Sequence, residues 1–196
     1  MTARSWAAFA VALSISSLPS LAFTAVADPA AAQIEGFYAE LSGVLRAEPV
    51  TASKLKPTVE RTFNLPVMAQ FSVGPQWSAM PASDKVAVIA ALTRYTAARY
   101  AKDLTAAHGV TFVVDPAVQV RGDDRLVKSE ARAAGQAPTK LYYRLRQYSG
   151  VWRVVDVLQD GVSEIATQRA DFSAALAKGG AANLVRKLDE ATAKLK

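Results

Sequence analysis

The chain has 196 residues, no cysteine, one histidine and a formal net charge of +6 at pH 7. The lack of cysteine excludes disulfides, thiol chemistry and a lipid-modified N-terminal cysteine, and a single histidine leaves only carboxylates as metal ligands. The modest positive charge favours anionic surfaces, such as lipid headgroups or an acidic partner.

The first 27 residues have the pattern of a secretory signal peptide. Arg4 is their only charge, an apolar run covers 6–21, and Ala25-Val26-Ala27 supplies a small-x-small cleavage pattern. Serines and a proline interrupt the run, which argues against a retained membrane helix. We therefore expect residues 28–196 to form one domain in the periplasm, where nucleic acid is an unsuitable partner.

Helical patterns occupy the next part of the chain. Asp28-Pro29 is typical of a helix start, with Asp as the N-cap and Pro in the first turn. The longest helix carries apolar residues on more than one face, which indicates burial on several sides. The predicted helices run from 29 to about 48, 54–63, 65 to about 73, and 84–108.

After residue 109 the apolar period changes from helical to two, which predicts strands. Two alternating runs, Leu141–Tyr148 and Val151–Gln159, meet at Ser149-Gly150, a link typical of a tight antiparallel hairpin. We expect about four antiparallel strands in all, followed by two helices over 163–178 and 181–196. This order predicts an α+β fold in which a sheet packs against a helical layer.

Candidate catalytic groups are few. His108 would act as a general base only with Asp103 or Asp115 as its partner. Its place before Gly109 favours a structural role, because a cation there interacts well with the helix C-terminus. The chain has no GxSxG, Walker A or GxGxxG motif.

Two carboxylate pairs are the remaining candidates for acid–base or metal chemistry. Asp123-Asp124 follows Gly122 in a predicted turn, where aspartate is expected for local hydrogen bonding. Asp156 lies on a predicted strand near Asp160, and we expect it to be partly buried and paired with an arginine. Structural pairing is the favoured interpretation for both pairs.

Apolar residues are abundant on segments that should face one another. The simplest interpretation is a well-filled core. The functional interpretation is that the helices and the sheet are held apart around a cavity that accepts an apolar ligand. The sequence alone leaves both interpretations open.

In order and spacing, much of the mature chain resembles the MlaC family, also called toluene-tolerance auxiliary proteins. The residues that carry the resemblance are Leu55-x-Pro57-x-Val59, Phe63, Met68-Ala69, Gly74-x-x-Trp77, Tyr95, Tyr100, Tyr142-Tyr143-Arg144-Leu145, Trp152 to Val157, Gly161-Val162-Ser163, Arg169-x-x-Phe172 and Gly180-x-x-x-Leu184 to Leu188.

The resemblance implies a periplasmic lipid carrier. Its sheet is expected to be twisted, and its apolar pocket is expected to hold phospholipid acyl chains as cargo, with no cofactor, metal or catalytic residue. The implied partners are an inner-membrane ABC transporter complex and an outer-membrane lipoprotein complex, between which a monomer would carry lipid to maintain outer-membrane lipid asymmetry. A related branch of the family is associated with hopanoids, and the sequence does not separate the two branches.

Predicted inward facing and family position together give the candidate lipid-binding residues, which are Phe71, Trp77, Ile89, Tyr95, Phe112, Leu145, Val155, Val157 and Ile165. Two rival functions stay open. One is an enzyme that acts on lipid or cell-wall material through His108, and the other is a non-transporting adaptor with a solid interior that binds another envelope protein.

Overall fold

The structure is a computed structural model that describes residues 28–106 and 109–195. The predicted signal peptide and His108 lie outside the described residues. The helices are α1 (Pro29–Arg46), α2 (Ala52–Thr62), α3 (Leu65–Val73), α4 (Ala82–Ala106) and α5 (Glu164–Ala193), with a 3₁₀ turn at Gly74–Trp77. The strands are β1 (Thr111–Val114), β2 (Gln119–Arg121), β3 (Asp124–Arg132), β4 (Thr139–Tyr148), β5 (Val151–Gln159) and β6 (Val162–Ser163).

The helix starts are set by side-chain caps. The Asp28 carboxylate accepts a hydrogen bond of 2.8 Å from the backbone N–H of Ala30, which confirms the predicted N-cap of α1. Asn64 caps α3 and Ser163 caps α5 in the same way. These side chains satisfy backbone donors that would otherwise lack a partner in the first turn of each helix.

The sheet is antiparallel and, within the described residues, has six strands against the four expected. Its order is β1-β3-β4-β5-β6, and β2 also pairs with β3. The additional strands are the short ones: β2 has three residues and β6 has two. Alternation over so few residues is too short to separate a strand from a turn, whereas pairing with β3 or β5 settles the assignment.

The β4–β5 hairpin is confirmed. Ser149 and Gly150 both have positive φ, as a two-residue type I′ turn requires. A β-bulge interrupts the pairing next to Arg144 and Leu145, so that Leu145 pairs with Val154 and Arg144 pairs with Asp156. Val155 is the additional residue in the bulge.

The register gives the sheet two distinct faces. Val127, Tyr143 and Leu145 are fully buried on the inner face, which packs against the helices. The outer face carries the alternate residues, including Lys128 and Lys140. An antiparallel sheet with one packed and one solvated face is the expected form of an α+β layer.

Aromatic rings fill the space between the helices and the inner face. The Phe37 ring contacts the rings of Phe63, Tyr100 and Tyr143, with centroid separations of 5.4, 5.5 and 6.2 Å and near-perpendicular planes. Tyr38 stacks on Phe112 at 4.2 Å. Edge-to-face and stacked pairs add to the free energy of burial, so these rings hold α1 and α4 against the sheet.

The two predicted C-terminal helices form one element with a break. Gly179 and Gly180 have non-helical backbone angles inside α5, which separates an N-terminal arm (164–178) from a C-terminal arm (181–193). The side chain of Asn183 donates a hydrogen bond of 2.7 Å to the carbonyl of Ala175, which links the two arms across the break. The arms therefore form a helical hairpin.

Two glycine substitutions are expected to change stability in opposite directions. Gly180 has φ +63° and ψ −158°, a region open almost only to glycine, so Gly180→Ala should lower the free energy of unfolding by about 1–3 kcal/mol. Gly36 is exposed in α1 with open space around its Cβ position, so Gly36→Ala should raise it by about 0.4–1 kcal/mol. Urea denaturation measures both. If Gly180→Ala and Gly36→Ala change the free energy of unfolding by the same amount and in the same direction, the backbone conformation described for Gly180 is wrong.

Candidate functional site

The interior between the helices and the sheet contains hydroxyl groups as well as rings. The Tyr38 hydroxyl donates a hydrogen bond of 3.1 Å to the Tyr143 hydroxyl and shares a second one, of 2.7 Å, with the Ser129 hydroxyl. Burial raises the pKa of Tyr143 well above its ordinary value. Because a buried phenol without a partner is costly, these bonds favour the closed arrangement of α1 on the sheet.

A cavity of about 340 Å³ lies between the two arms of α5 and the side chain of Tyr95 on α4. We call it the hairpin cavity. Its wall is mostly apolar, and the residues that line it are Tyr95, Gln168, Asp171, Phe172, Ala174, Ala175, Lys178, Asn183, Leu184, Lys187, Leu188 and Ala191.

The charged residues of the hairpin cavity lie at its exposed edge. Lys178, Lys187 and Asp171 are exposed, whereas Phe172 and Leu184 are buried. Lys187 is 3.4 Å from a carboxylate oxygen of Glu190. Within the described residues, no carboxylate lies within 4.0 Å of the Lys178 ammonium. An apolar wall with cations at the edge suits an amphiphile that has an anionic head.

A chain of polar groups borders the hairpin cavity at Gln168. The Ser72 hydroxyl donates to the Gln168 carbonyl oxygen at 2.9 Å, and the Gln168 amide donates to the Glu164 carboxylate at 3.0 Å. Arg99 donates to the same carboxylate at 3.0 Å. Burial raises the pKa of Glu164, while the charge of Arg99 opposes that shift. This chain joins α3, α4 and α5 beside the cavity.

The volume of the hairpin cavity limits what it can hold. An apolar protein cavity of about 150 Å³ binds benzene. The hairpin cavity, at about 340 Å³, is roughly twice that size. It can therefore accept a single hydrocarbon segment of moderate length, and a complete two-tailed lipid would need additional space.

Two other depressions lie elsewhere in the described part of the chain. One, of about 420 Å³, lies where Tyr38 meets β1, and its wall is more polar than that of the hairpin cavity, with Glu35 and Ser42 contributing to it. The other, of about 310 Å³, lies where α3 and α5 meet the sheet. Its wall is mostly apolar as well, but it includes the charged side chains of Arg144, Asp156 and Arg169 and no lysine.

The structure distributes the nine predicted lipid-binding residues over several places. Tyr95 lines the hairpin cavity, Phe112 lines the depression at β1, and Phe71 and Ile165 line the depression at α3 and α5. The others are packed: Leu145, Val155 and Val157 are buried, and Trp77 and Ile89 lie half-buried against the core. The structure therefore does not bring the nine together around one cavity.

Sequence reasoning missed most of the hairpin cavity. Ala174, Lys178 and Lys187 were not among the candidates, although both arms had been predicted as helices. The available signal was Gly179-Gly180 between two amphipathic segments, because a short link between helices makes them antiparallel neighbours.

The carboxylate pairs have structural roles. Asp124 accepts hydrogen bonds of 2.6 Å from both Arg144 and Arg146. Burial opposes ionisation of Asp124, but these bonds outweigh it and lower the pKa. Asp156 was expected to pair with an arginine, and instead it accepts bonds from the Ser163 hydroxyl at 2.6 Å and the Ile165 N–H at 3.2 Å. It therefore holds the start of α5.

The part of the chain that the structure describes contains no group of three or more histidine, cysteine, aspartate or glutamate side chains placed to bind a metal ion. Among the described helices, none combines the length and the apolar character needed to span a membrane.

Comparison with known proteins identifies similar sequences and folds. A family model described as "MlaC protein" matches residues 46–190. No curated protein matches the chain. The chain is similar to a solved structure described as the phospholipid-binding protein from Ralstonia solanacearum in complex with a phospholipid. The TM-score is 0.73 at 21% identity, over 86% of this chain and 99% of the other, and this likeness shows a shared fold.

The raised pKa of Glu164 gives a prediction about pH. The folded protein binds this proton more tightly than the unfolded chain, so the contribution of Glu164 to stability falls as the pH rises from its ordinary pKa through the raised one. Glu164→Gln should remove that decline. Urea denaturation from about pH 4 to pH 8 measures it, and wild type should lose stability relative to the variant as the pH rises. Parallel profiles would contradict the raised pKa.

Proposed function

The chain belongs to the MlaC protein family, and from this we propose that it is a lipid-binding carrier that holds an acyl chain in the hairpin cavity. The observation that carries the proposal is the cavity itself. Among the three depressions described above, it is the one that combines a mostly apolar wall with exposed lysines at its edge.

The free energy of hydrocarbon transfer explains why such a cavity suffices for carriage. An acyl chain of about sixteen carbons exposes methylenes worth ~0.8 kcal/mol each, so carrying it bare through water costs roughly 13 kcal/mol. Phe172, Leu184 and Leu188 offer apolar contacts in place of water. Holding a chain in this way requires no nucleophile, metal or nucleotide, and the proposed role is therefore not enzymatic.

The lysines at the edge indicate the kind of headgroup. A chain inserted between the arms would leave its polar head near Lys178 and Lys187. Ammonium groups attract phosphate and carboxylate groups there, where water still solvates both partners. This favours a phospholipid over a hopanoid, because the hopanoid ring system carries no anionic group and is broader than a single chain.

The cellular setting belongs to the same proposal. With residues 1–27 as a cleaved signal peptide, residues 28–196 form the single mature domain, and it acts in the periplasm as a monomer. There it exchanges lipid with an inner-membrane ABC transporter complex and an outer-membrane lipoprotein complex. Family membership supports these assignments.

One observation favours a different function. The space between the helices and the inner face of the sheet is closed by the buried rings of Phe37, Phe63 and Tyr143. A solid interior suits an adaptor that binds another envelope protein without carrying lipid. The content of the purified protein separates the two functions.

Native mass spectrometry of freshly purified protein tests carriage. Wild type should retain a lipid mass, and Ala174→Trp should lose it, because the indole would occupy the hairpin cavity. If the indole keeps as few as two methylenes of the acyl chain out of the cavity, the loss of ~0.8 kcal/mol for each weakens lipid binding by more than about tenfold. Ala170→Trp is the matched control, since Ala170 is also exposed on α5 and does not line the cavity.

Both tryptophan variants should unfold at temperatures close to that of wild type. A wild-type mass without lipid would favour the adaptor. Equal lipid occupancy in the two variants would reject the hairpin cavity as the site and leave carriage elsewhere in the protein.

A second variant tests whether the bulge at Val155 borders a lipid site. Val155 is fully buried, so Val155→Trp should overpack its surroundings and lower the free energy of unfolding by about 1–3 kcal/mol. Lipid occupancy of the folded fraction should stay at the wild-type level. Loss of lipid with unchanged stability would instead show a cavity at Val155, as the sequence predicts.

A further inference from the structure

The outer face of the sheet carries a mixture of exposed and half-buried side chains. Val113 on β1 is 42% exposed and Val151 on β5 is 46% exposed, and both belong to this face by register. Helices reach the face on its β5 side: the start of α5 bonds to Asp156, and the last carbonyls of α2 accept bonds from Arg153. The depression at α3 and α5 extends this contact to Arg144 of β4. Elsewhere on β1, β3 and β4 most side chains of the face are exposed or half-buried.

Positive charge is concentrated on this face. The register places seven cationic side chains and three carboxylates there, an excess of four positive charges, while the whole chain carries +6. The carboxylates already have partners: Asp124 pairs with two arginines, Glu130 pairs with Arg132 at 2.8 Å, and Asp156 accepts bonds from Ser163 and Ile165 at the start of α5. Their negative charge is therefore already engaged.

Four of the cations have no carboxylate partner within 4.0 Å among residues 28–106 and 109–195. One is Arg153, which donates to the carbonyls of Glu60 and Arg61, and the other three are Arg121, Lys128 and Lys140. These last three come from β2, β3 and β4, which are neighbouring strands of the sheet. Cations without a carboxylate partner keep a positive potential over this part of the face.

Apolar and amphipathic side chains lie between the cations. Tyr142 and Tyr148 are half-buried on the same face as Val113 and Val151. Tyrosine favours the boundary between water and hydrocarbon, because it has an apolar ring and a polar tip. Mixed cations and tyrosines on an open face suit an extended anionic surface better than they suit one acidic peptide, which would need a groove.

We propose that the outer face docks onto the surface of an anionic phospholipid bilayer. The cations lie among the lipid phosphates, and the tyrosines and valines reach the headgroup region. Docking of this kind is reversible and weakens as salt screens the charges. The proposal of docking rests on the strand register and on the charges of the outer face. It does not require that the hairpin cavity hold lipid.

Co-sedimentation with vesicles tests the docking. Wild type should bind vesicles of phosphatidylcholine with about a third phosphatidylglycerol at low salt, and it should bind pure phosphatidylcholine vesicles weakly. Raising the salt to about 0.5 M should release it. The triple variant Arg121→Gln, Lys128→Gln, Lys140→Gln should bind the anionic vesicles roughly a hundredfold more weakly, since each cation near such a surface contributes about fivefold.

The matched control neutralises three lysines on the helical side of the protein. Lys54→Gln, Lys102→Gln, Lys194→Gln changes the net charge equally, so its vesicle affinity should stay within about twofold of wild type if the outer face is the docking surface. Thermal unfolding checks that both triple variants are folded. The salt dependence of the wild type provides a test that needs no variant.

Three results would overturn the proposal. One is equal weakening in the two triple variants, which would show attraction by net charge alone. Another is failure of the wild type to bind anionic vesicles at low salt. The third is binding of soluble polyglutamate through Arg121, Lys128 and Lys140 without binding to vesicles, which would point to an acidic protein partner. The triple variant Arg121→Gln, Lys128→Gln, Lys140→Gln should retain lipid at the wild-type level in native mass spectrometry. A negative result in the vesicle experiment would therefore reject docking and leave the proposal of carriage standing, and the reverse also holds.

Discussion

The burial of the Tyr143 side chain is the constraint on which the relation between the two layers depends. Tyr143 is fully buried in the middle strands of the sheet, and its hydroxyl group accepts a hydrogen bond from Tyr38 on α1. A phenol can be buried at low cost only if its hydroxyl has a partner and its ring is packed. Phe37 supplies the ring contact and Tyr38 the partner, so α1 can sit on the inner face in one arrangement. Because that arrangement fills the space around Tyr143, space for an acyl chain must lie elsewhere or be made by moving a helix.

The helical hairpin of α5 supplies such space through its backbone. Gly179 and Gly180 reverse the chain between two amphipathic arms, and the bond from Asn183 to the carbonyl of Ala175 fixes how the arms approach each other. Leu184 and Leu188 then face Phe172 and Ala175, and among the described residues only Tyr95 of α4 reaches in from a neighbouring element. Small residues at 174, 175 and 191 leave the gap unfilled. A cavity bounded almost wholly by one hairpin can open and close without disturbing the rings around Tyr143, and this suits a site that must take up and release its ligand.

Much of the fold was accessible from sequence because its signals are local. The caps at Asp28 and Asn64, the turn at Ser149-Gly150 and the change of apolar period after residue 109 each depend on neighbouring residues. The strand β6 was missed because two residues carry no period of their own. The site was harder still. Alternation shows that Leu145 and Val157 point inward, but whether inward-facing residues touch a ligand or touch one another depends on packing between distant elements. That is why the nine predicted residues are divided among the packed core and three depressions.

The strands and the helices divide the chemistry of the protein between them. Lys178 and Lys187 are cations beside an apolar cavity, and they can select the head of a single bound molecule. Lys128 and Lys140 are cations on the outer face of the sheet, and they line none of the three depressions described above. The difference arises from the secondary structure: a bent helix can enclose space between its arms, whereas one face of an antiparallel sheet presents its side chains outward over a broad area. A carrier needs both properties, because it must hold one lipid apart from water and must also come close to the surface from which lipids are drawn. In this chain the proposed lipid site and the proposed docking face use different residues, so either can be altered by substitution while the other is left intact.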